Sequence, residues 1–166
     1  MHYAYPCTMV PYPEDGVFVT SFPDVPGALT DGRDMEEVTR MAEDALSVML
    51  SGYVKMGWDI PTPSAPEPGQ VMIAVYPIVA AKLALYTLMR ERRITKVALG
   101  EMLGISEAAV RKLVNPDHRS HISQVERALK LLGYSLALSV APVGGEAAPA
   151  SPSSKRRTGK GVPTPA

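Results

Sequence analysis

The chain has 166 residues, 46% of them apolar, with 17 Lys/Arg against 17 Asp/Glu. That length suits one ordinary domain or two small ones; one cysteine excludes an internal disulfide and a cysteine metal site; and no apolar run reaches the roughly 18 residues of a membrane span. The zero balance is a cancellation, because residues 1–70 hold three Lys/Arg and eleven Asp/Glu (net −8), residues 71–140 ten and five (+5), and residues 141–166 four and one (+3).

In chain order, "HYAYPCTMVPYPEDGVFVTSF" alternates and is rich in β-formers. It predicts strands near 2–10 and 16–22, joined by a turn at Pro13-Glu14-Asp15-Gly16. Cys7 reads as a small apolar residue of the first strand. "PDVPGALTDG" is a loop leading into a short third strand around Ala28-Leu29-Thr30. Asp31 or Asp34 caps the next helix, and Glu36 and Glu37 place acid in its first turn. That helix runs to about Lys55, with Val38, Met41, Ala42, Ala45, Leu46, Met49 and Leu50 on one face. Gly57-Trp58-Asp59 ends it, "IPTPSAPEPG" is a proline-rich linker, and "QVMIAVY", residues 70–76, is a fourth strand. The front half is therefore a β-β-β-α-β unit, residues 1–76, of α+β class.

The back half, residues 77–140, reads as helical. Pro77 opens a helix over 77–92 that buries Val79, Leu83, Tyr86 and Leu88. Thr95 caps a helix over 96–103, Gly104 ends it in a left-handed turn, and Ile105 folds back as an apolar clasp. Ser106 caps a helix over 107–114 that Pro116 terminates. A last helix, about 121–132, points Ile122, Val125, Leu129 and Leu132 inward, and "YSLALSV" alternates like a short C-terminal strand. From Ala141 onward Pro, Gly, Ala and Ser dominate, which predicts a disordered tail carrying the basic run "SSKRRTGKG". That run is either a plain extension or a source of added phosphate contacts.

Residues 95–116 have the spacing of a helix-turn-helix. Gly100 sits where the two helices cross, and Ala98, Leu99, Leu103, Ile105, Val110 and Leu113 form their shared core. Lys96, Ser106, Glu107, Ala108, Arg111 and Lys112 are left outward, as residues that reach a DNA major groove and its phosphates are. Arg119 and His121, before the last helix, are placed to grip the flanking backbone. Leu131, Leu136, Leu138 and Val140 exceed the apolar needs of a small helical core and are candidates for pairing two chains, as a homodimer or a higher even oligomer. Their other role is to close their own domain.

"FVTSFPDVPGALTDGRDMEEV" resembles the signature of HicB-type antitoxins: Phe22-Pro23-Asp24-Val25-Pro26-Gly27, then Thr30-Asp31-Gly32, then Glu36-Glu37. The back half is similar to that family's helix-turn-helix, including "NPDHRSHISQVERALKLLG". Val25 replaces the usual Leu, and Ala28 stands where Cys is frequent, so no role for that thiol carries over. The resemblance implies a front domain with a truncated, inactive RNase H-like fold. It also implies a partner, a small basic HicA-type toxin that cleaves mRNA, and operator DNA as the second target.

On that reading an acidic surface competes with RNA for a cationic toxin. Tyr5, Tyr12, Asp24, Asp31, Asp34, Glu36, Glu37 and Trp58 are its candidate contacts, with the aromatic residues as anchors. The expected protein is a cytoplasmic antitoxin and autorepressor, nucleoid-associated when operator-bound, without cofactor, metal or catalytic residues. A stand-alone helix-turn-helix regulator with a ligand-sensing front domain is the alternative. A nuclease would need carboxylates clustered round a metal; Asp24, Asp31, Asp34, Glu43 and Asp44 supply the material, but the acids on the helix spread over several of its faces.

Overall fold

The computed structural model describes residues 1–140. Its elements are β1 (Ala4–Tyr12), β2 (Val17–Ser21), β3 (Thr30–Gly32), α1 (Met35–Met56), β4 (Val71–Ala74), α2 (Pro77–Glu91), α3 (Lys96–Leu103), α4 (Glu107–Val114) and α5 (Ile122–Leu131). The α+β layout read from the pattern is the layout found. The tail, residues 141–166, lies outside the described residues.

The four strands form one antiparallel sheet in the order β3-β2-β1-β4. β1 serves two neighbours in succession, pairing Ala4–Cys7 with β4 and Thr8–Tyr12 with β2. The turn between β1 and β2 uses Gly16 at φ +65°, a conformation without steric penalty only for glycine.

Helix α1 lies on one face of this sheet. Asp34 is its cap, accepting from the Glu37 N–H at 2.8 Å, while the Glu37 carboxylate accepts from the Arg33 N–H at 2.9 Å. These two acids therefore satisfy donors at the helix start and its approach. The buried stripe Val38, Ala42, Leu46 and Leu50 meets Tyr5, Cys7, Phe22, Val25, Ala28 and Ile73 in a front core. The approach at Gly32 is close, since a Cβ there would stand 2.5 Å from the Val38 backbone nitrogen.

Helix α2 is shared. Val79 and Leu83 complete the front core, whereas Ala81, Leu85, Tyr86, Leu88 and Met89 join α3, α4 and α5 in a back core around Leu99, Val110, Val125 and Leu129. Polar ties reinforce the junction: Tyr86 Oη donates to Trp58 O at 2.9 Å, Arg90 pairs with Asp59 at 2.8 Å, and Lys55 pairs with Asp117.

Several expectations need correction. Tyr5, expected at a toxin surface, is fully buried, with its hydroxyl donating to Pro61 O at 2.8 Å; its ring fills the front core. Ile122, expected inward, is 37% exposed, because it sits at the first turn of α5 before that helix reaches the core. Ile105 is 38% exposed and clasps with its backbone, its N–H donating to Gly100 O at 2.9 Å. Residues 134–140 form no strand. α5 ends at Leu131, Gly133 just beyond it is left-handed at φ +81°, and among the described residues no strand lies alongside to pair with residues 134–140. No helix among the described residues is long and apolar enough to cross a membrane.

Two glycines give opposite expectations. Gly32→Ala drives a methyl group into the α1 backbone and lowers stability by about 1–3 kcal/mol. Gly52→Ala, inside α1 with nothing within 4 Å of the added Cβ, raises stability by about 0.5–1 kcal/mol. Urea midpoints of the two variants should shift in opposite directions.

Candidate nucleic-acid interface

Helices α3 and α4 are built by local chemistry. The Thr95 hydroxyl accepts from the Ala98 N–H at 3.1 Å and the Ser106 hydroxyl from the Ala109 N–H at 3.2 Å, so each helix starts on a side-chain cap. Gly104 at φ +69° turns the chain between them. At Gly100 a Cβ would meet Ile105 O at 2.7 Å and Val110 Cγ2 at 3.4 Å. The crossing is closer than any side chain permits without a shift in the backbone of the turn. Leu99, Leu103, Val110 and Leu113 are buried beneath it, and Ala98 is half-buried.

The C-terminal end of α4 is held by a lysine that the helix pattern alone did not single out. Lys82 of α2 is fully buried, and its ammonium donates to Asn115 O at 2.8 Å, His118 O at 2.5 Å and Lys112 O at 3.3 Å. A buried charge is tolerable only when its hydrogen bonds are met, and here the acceptors include carbonyls at the end of α4, where the helix dipole favours a cation. Burial pulls the Lys82 pKa below lysine's ordinary value, and the nearby Asp117 carboxylate partly offsets this. Its position in the stripe 79, 82, 83, 86 was the available signal: a lysine at a core spacing needs an internal partner.

The expected reading-face residues Lys96, Ser106, Ala108, Arg111 and Lys112 are exposed, with Glu107 half-buried. Arg111 is not free, because its guanidinium holds Glu107 Oε1 at 2.8 and 3.1 Å one helical turn away. Arg119 and His121 are exposed on the segment after α4. Lys112, His118, Arg119 and Arg127 rim a cleft of about 300 Å³ floored by Leu103, Ile105, Ala109 and Leu113. Arg127, absent from the expectations, is anchored to Leu103 O at 3.1 Å; the pattern placed it on α5 but could not bring α5 beside α4.

The front-half candidates fall apart by role. Asp24 straps the linker, accepting from Ser64 N–H at 2.9 Å and Ser64 Oγ at 3.0 Å. Asp34 and Glu37 cap α1. Tyr12, Asp31, Glu36 and Trp58 are exposed, and the Trp58 ring packs edge-on against Tyr53 at 5.4 Å. Among the described residues no group of three or more His, Cys, Asp and Glu is arranged to hold a metal ion. Leu131, Leu138 and Val140 are 45%, 65% and 100% exposed, and Leu136 is half-buried against the back core.

A family model described as the HicB-like antitoxin of bacterial toxin–antitoxin systems matches residues 4–84, which span the front unit and half of α2. The chain is 33% identical over 136 residues to Antitoxin HicB 1 of Photorhabdus laumondii, covering 82% of this chain and 86% of that one. It is 34% identical over 134 residues to Antitoxin HicB of Escherichia coli K12, covering 81% and 96%. With Antitoxin HicB of Pseudomonas fluorescens it shares 35% over 128 residues, 76% of this chain and 88% of that one.

Lys82→Met keeps the stem and removes the donors, leaving carbonyls at the end of α4 unpaired. The expected loss is about 2–3 kcal/mol. Amide exchange should accelerate over residues 112–118 more than in β1 or α1, which a pulse-labelling experiment resolves.

Proposed function

The chain belongs to the HicB-like family of bacterial antitoxins, and we propose that it neutralises a small basic HicA-type mRNA-cleaving toxin with its front unit and represses its own operon through the helix-turn-helix. The observation that carries this reading is the division of charge over two joined cores. The unit around α1 and the sheet is acidic, and the one around α3 and α4 is basic. A polyanion is drawn to the second and a cationic nuclease to the first.

Lys96, Ser106, Ala108, Arg111 and Lys112 are the proposed DNA contacts, with Arg119 and His121 on the flanking phosphates. Leu131, Leu136, Leu138 and Val140 are proposed to join two chains, as a palindromic operator would require. The division into 1–76, 77–140 and a basic tail is a functional one, for α2 supplies Val79 and Leu83 to the front core. A separation test therefore uses the full chain rather than fragments. A ligand-sensing regulator would hold its ligand in a closed apolar pocket of the front unit, whereas the two clefts of about 300 and 360 Å³ against the loop 116–120 are lined by back-half residues.

Arg111→Ala/Lys112→Ala should lose specific operator binding, at about 1–3 kcal/mol per base contact, yet still rescue growth of cells expressing the adjacent toxin gene. Loss of both activities together, in a folded variant, overturns the division of labour. Glu107→Gln should act in the opposite sense. It releases Arg111 from an exposed ion pair worth under about 1 kcal/mol and removes a negative charge from the DNA side. Operator affinity, read by fluorescence anisotropy, should rise about two- to fivefold.

A further inference from the structure

The two faces of the β1–β2 ribbon differ in what covers them. Directly opposed residues share a face, so the pairs Pro11↔Phe18, Met9↔Thr20 and Phe18↔Gly32 define one side and Val10↔Val19, Tyr12↔Val17 and Val19↔Asp31 the other. Helix α1 lies on the first side, as its contact with Gly32 requires. On the second side Val10 is 43% and Tyr12 48% exposed, with Val17 and Val19 half-buried. A bare Val/Tyr strand surface is a standing invitation to associate.

Charge selects among the possible occupants. Residues 1–32 contain no Lys or Arg but carry Glu14, Asp15, Asp24 and Asp31, and residues 56–81 again contain none but carry Asp59 and Glu67. All the cations that precede Lys82 (Arg33, Arg40 and Lys55) lie on α1 or just before it. The open face is thus framed by acid, with Asp31 at its side and Glu14 and Asp15 at the hairpin tip. Among the described residues no side-chain hydrogen bond or ion pair engages these three, in contrast to Asp24, Asp34 and Glu37. Nucleic acid is repelled by such a frame. A second copy applied face to face would press like charges together. A cationic protein meets both an attracting field and an apolar floor with one aromatic anchor, the combination that concentrates binding energy in a few residues.

We propose that this open face, Val10, Tyr12, Val17 and Val19 with Asp31, Glu14 and Asp15 around it, is the surface that seats the small basic toxin. The proposal rests on the antitoxin reading and moves the contact from the acidic start of α1 to the opposite side of the sheet. There Tyr12 supplies the anchor and the three acids steer the approach. The solvent face of α1, where Arg40 interrupts Glu36, Glu43 and Asp44, is left out of the contact.

The test is titration calorimetry of the full chain against the small basic protein encoded beside it, silenced in its catalytic residue. Val10→Ser/Tyr12→Ser should raise Kd about thirtyfold or more, while Glu36→Gln/Glu43→Gln should stay within about threefold. An unchanged Kd in the sheet variant, or a large loss confined to the α1 variant, overturns the surface while leaving the antitoxin reading intact. A wild-type chain that does not bind the toxin at all overturns both. If the sheet variant instead shrinks the wild-type oligomer in light scattering, the face belongs to a second copy and the proposal fails. Hydrogen exchange in the wild-type complex decides the matter without a variant. Added protection over residues 9–17 supports the proposal, and protection confined to α1 overturns it.

Discussion

Helix α2 has to satisfy two hydrophobic cores at once, and most of the architecture depends on that. Val79 and Leu83 reach into the sheet side, and Leu85, Leu88 and Met89 reach into the helical side. A single helix with apolar residues on more than one face is buried by more than one neighbour. Neither core is closed without it, so the two halves are packed around a common element rather than linked by a free tether. Lys82 lies between these apolar contacts and carries the junction to the end of α4, where its three donors meet three carbonyls. Helix α4 is therefore braced at both ends, by the Ser106 cap at the start and by the α2 ammonium at the finish. A helix of eight residues is too short to be stable by itself in water, and this bracing explains how it keeps a defined geometry.

The segment that carries the family resemblance is spent largely on the fold. Phe22, Val25 and Ala28 are core residues of the front unit. Asp24 holds the linker by two hydrogen bonds from Ser64, and Gly27 at φ +94° turns the chain beneath Met49. Val for the usual Leu is absorbed at a fully buried position, and Ala28, where a thiol is frequent, faces the same core. Cys7 is sealed there too, and burial pushes its thiol up to about 11. Most signature residues thus build the front core and its turns, whereas Asp31, in the same signature, stays exposed beside β2.

Local rules wrote a good part of this protein into the chain. The α3 and α4 bounds, their caps and the Gly104 turn could be read directly, because N-cap hydroxyls and left-handed glycines act within four residues. The strand alternation and the α1 stripe were legible for the same reason, as was the opposition of an acidic and a basic half, since charge needs no folding to be counted. What tertiary structure alone decided are matters of partnership across distance. Tyr5 looks like an anchor in an alternating strand, but α1 and the linker cover it. Asp24 looks like free acid, but the backbone N–H and hydroxyl of Ser64, forty residues on, claim it. Lys82 looks like a surface cation, but the end of α4 arrives to receive it. The final residues, 134–140, alternate like a strand, yet a strand exists only when another backbone accepts its hydrogen bonds, and no neighbour among the described residues does. The sequence determines which residues want burial, a cap or a charge partner; only packing determines which of them find one inside the chain and which are left for another molecule.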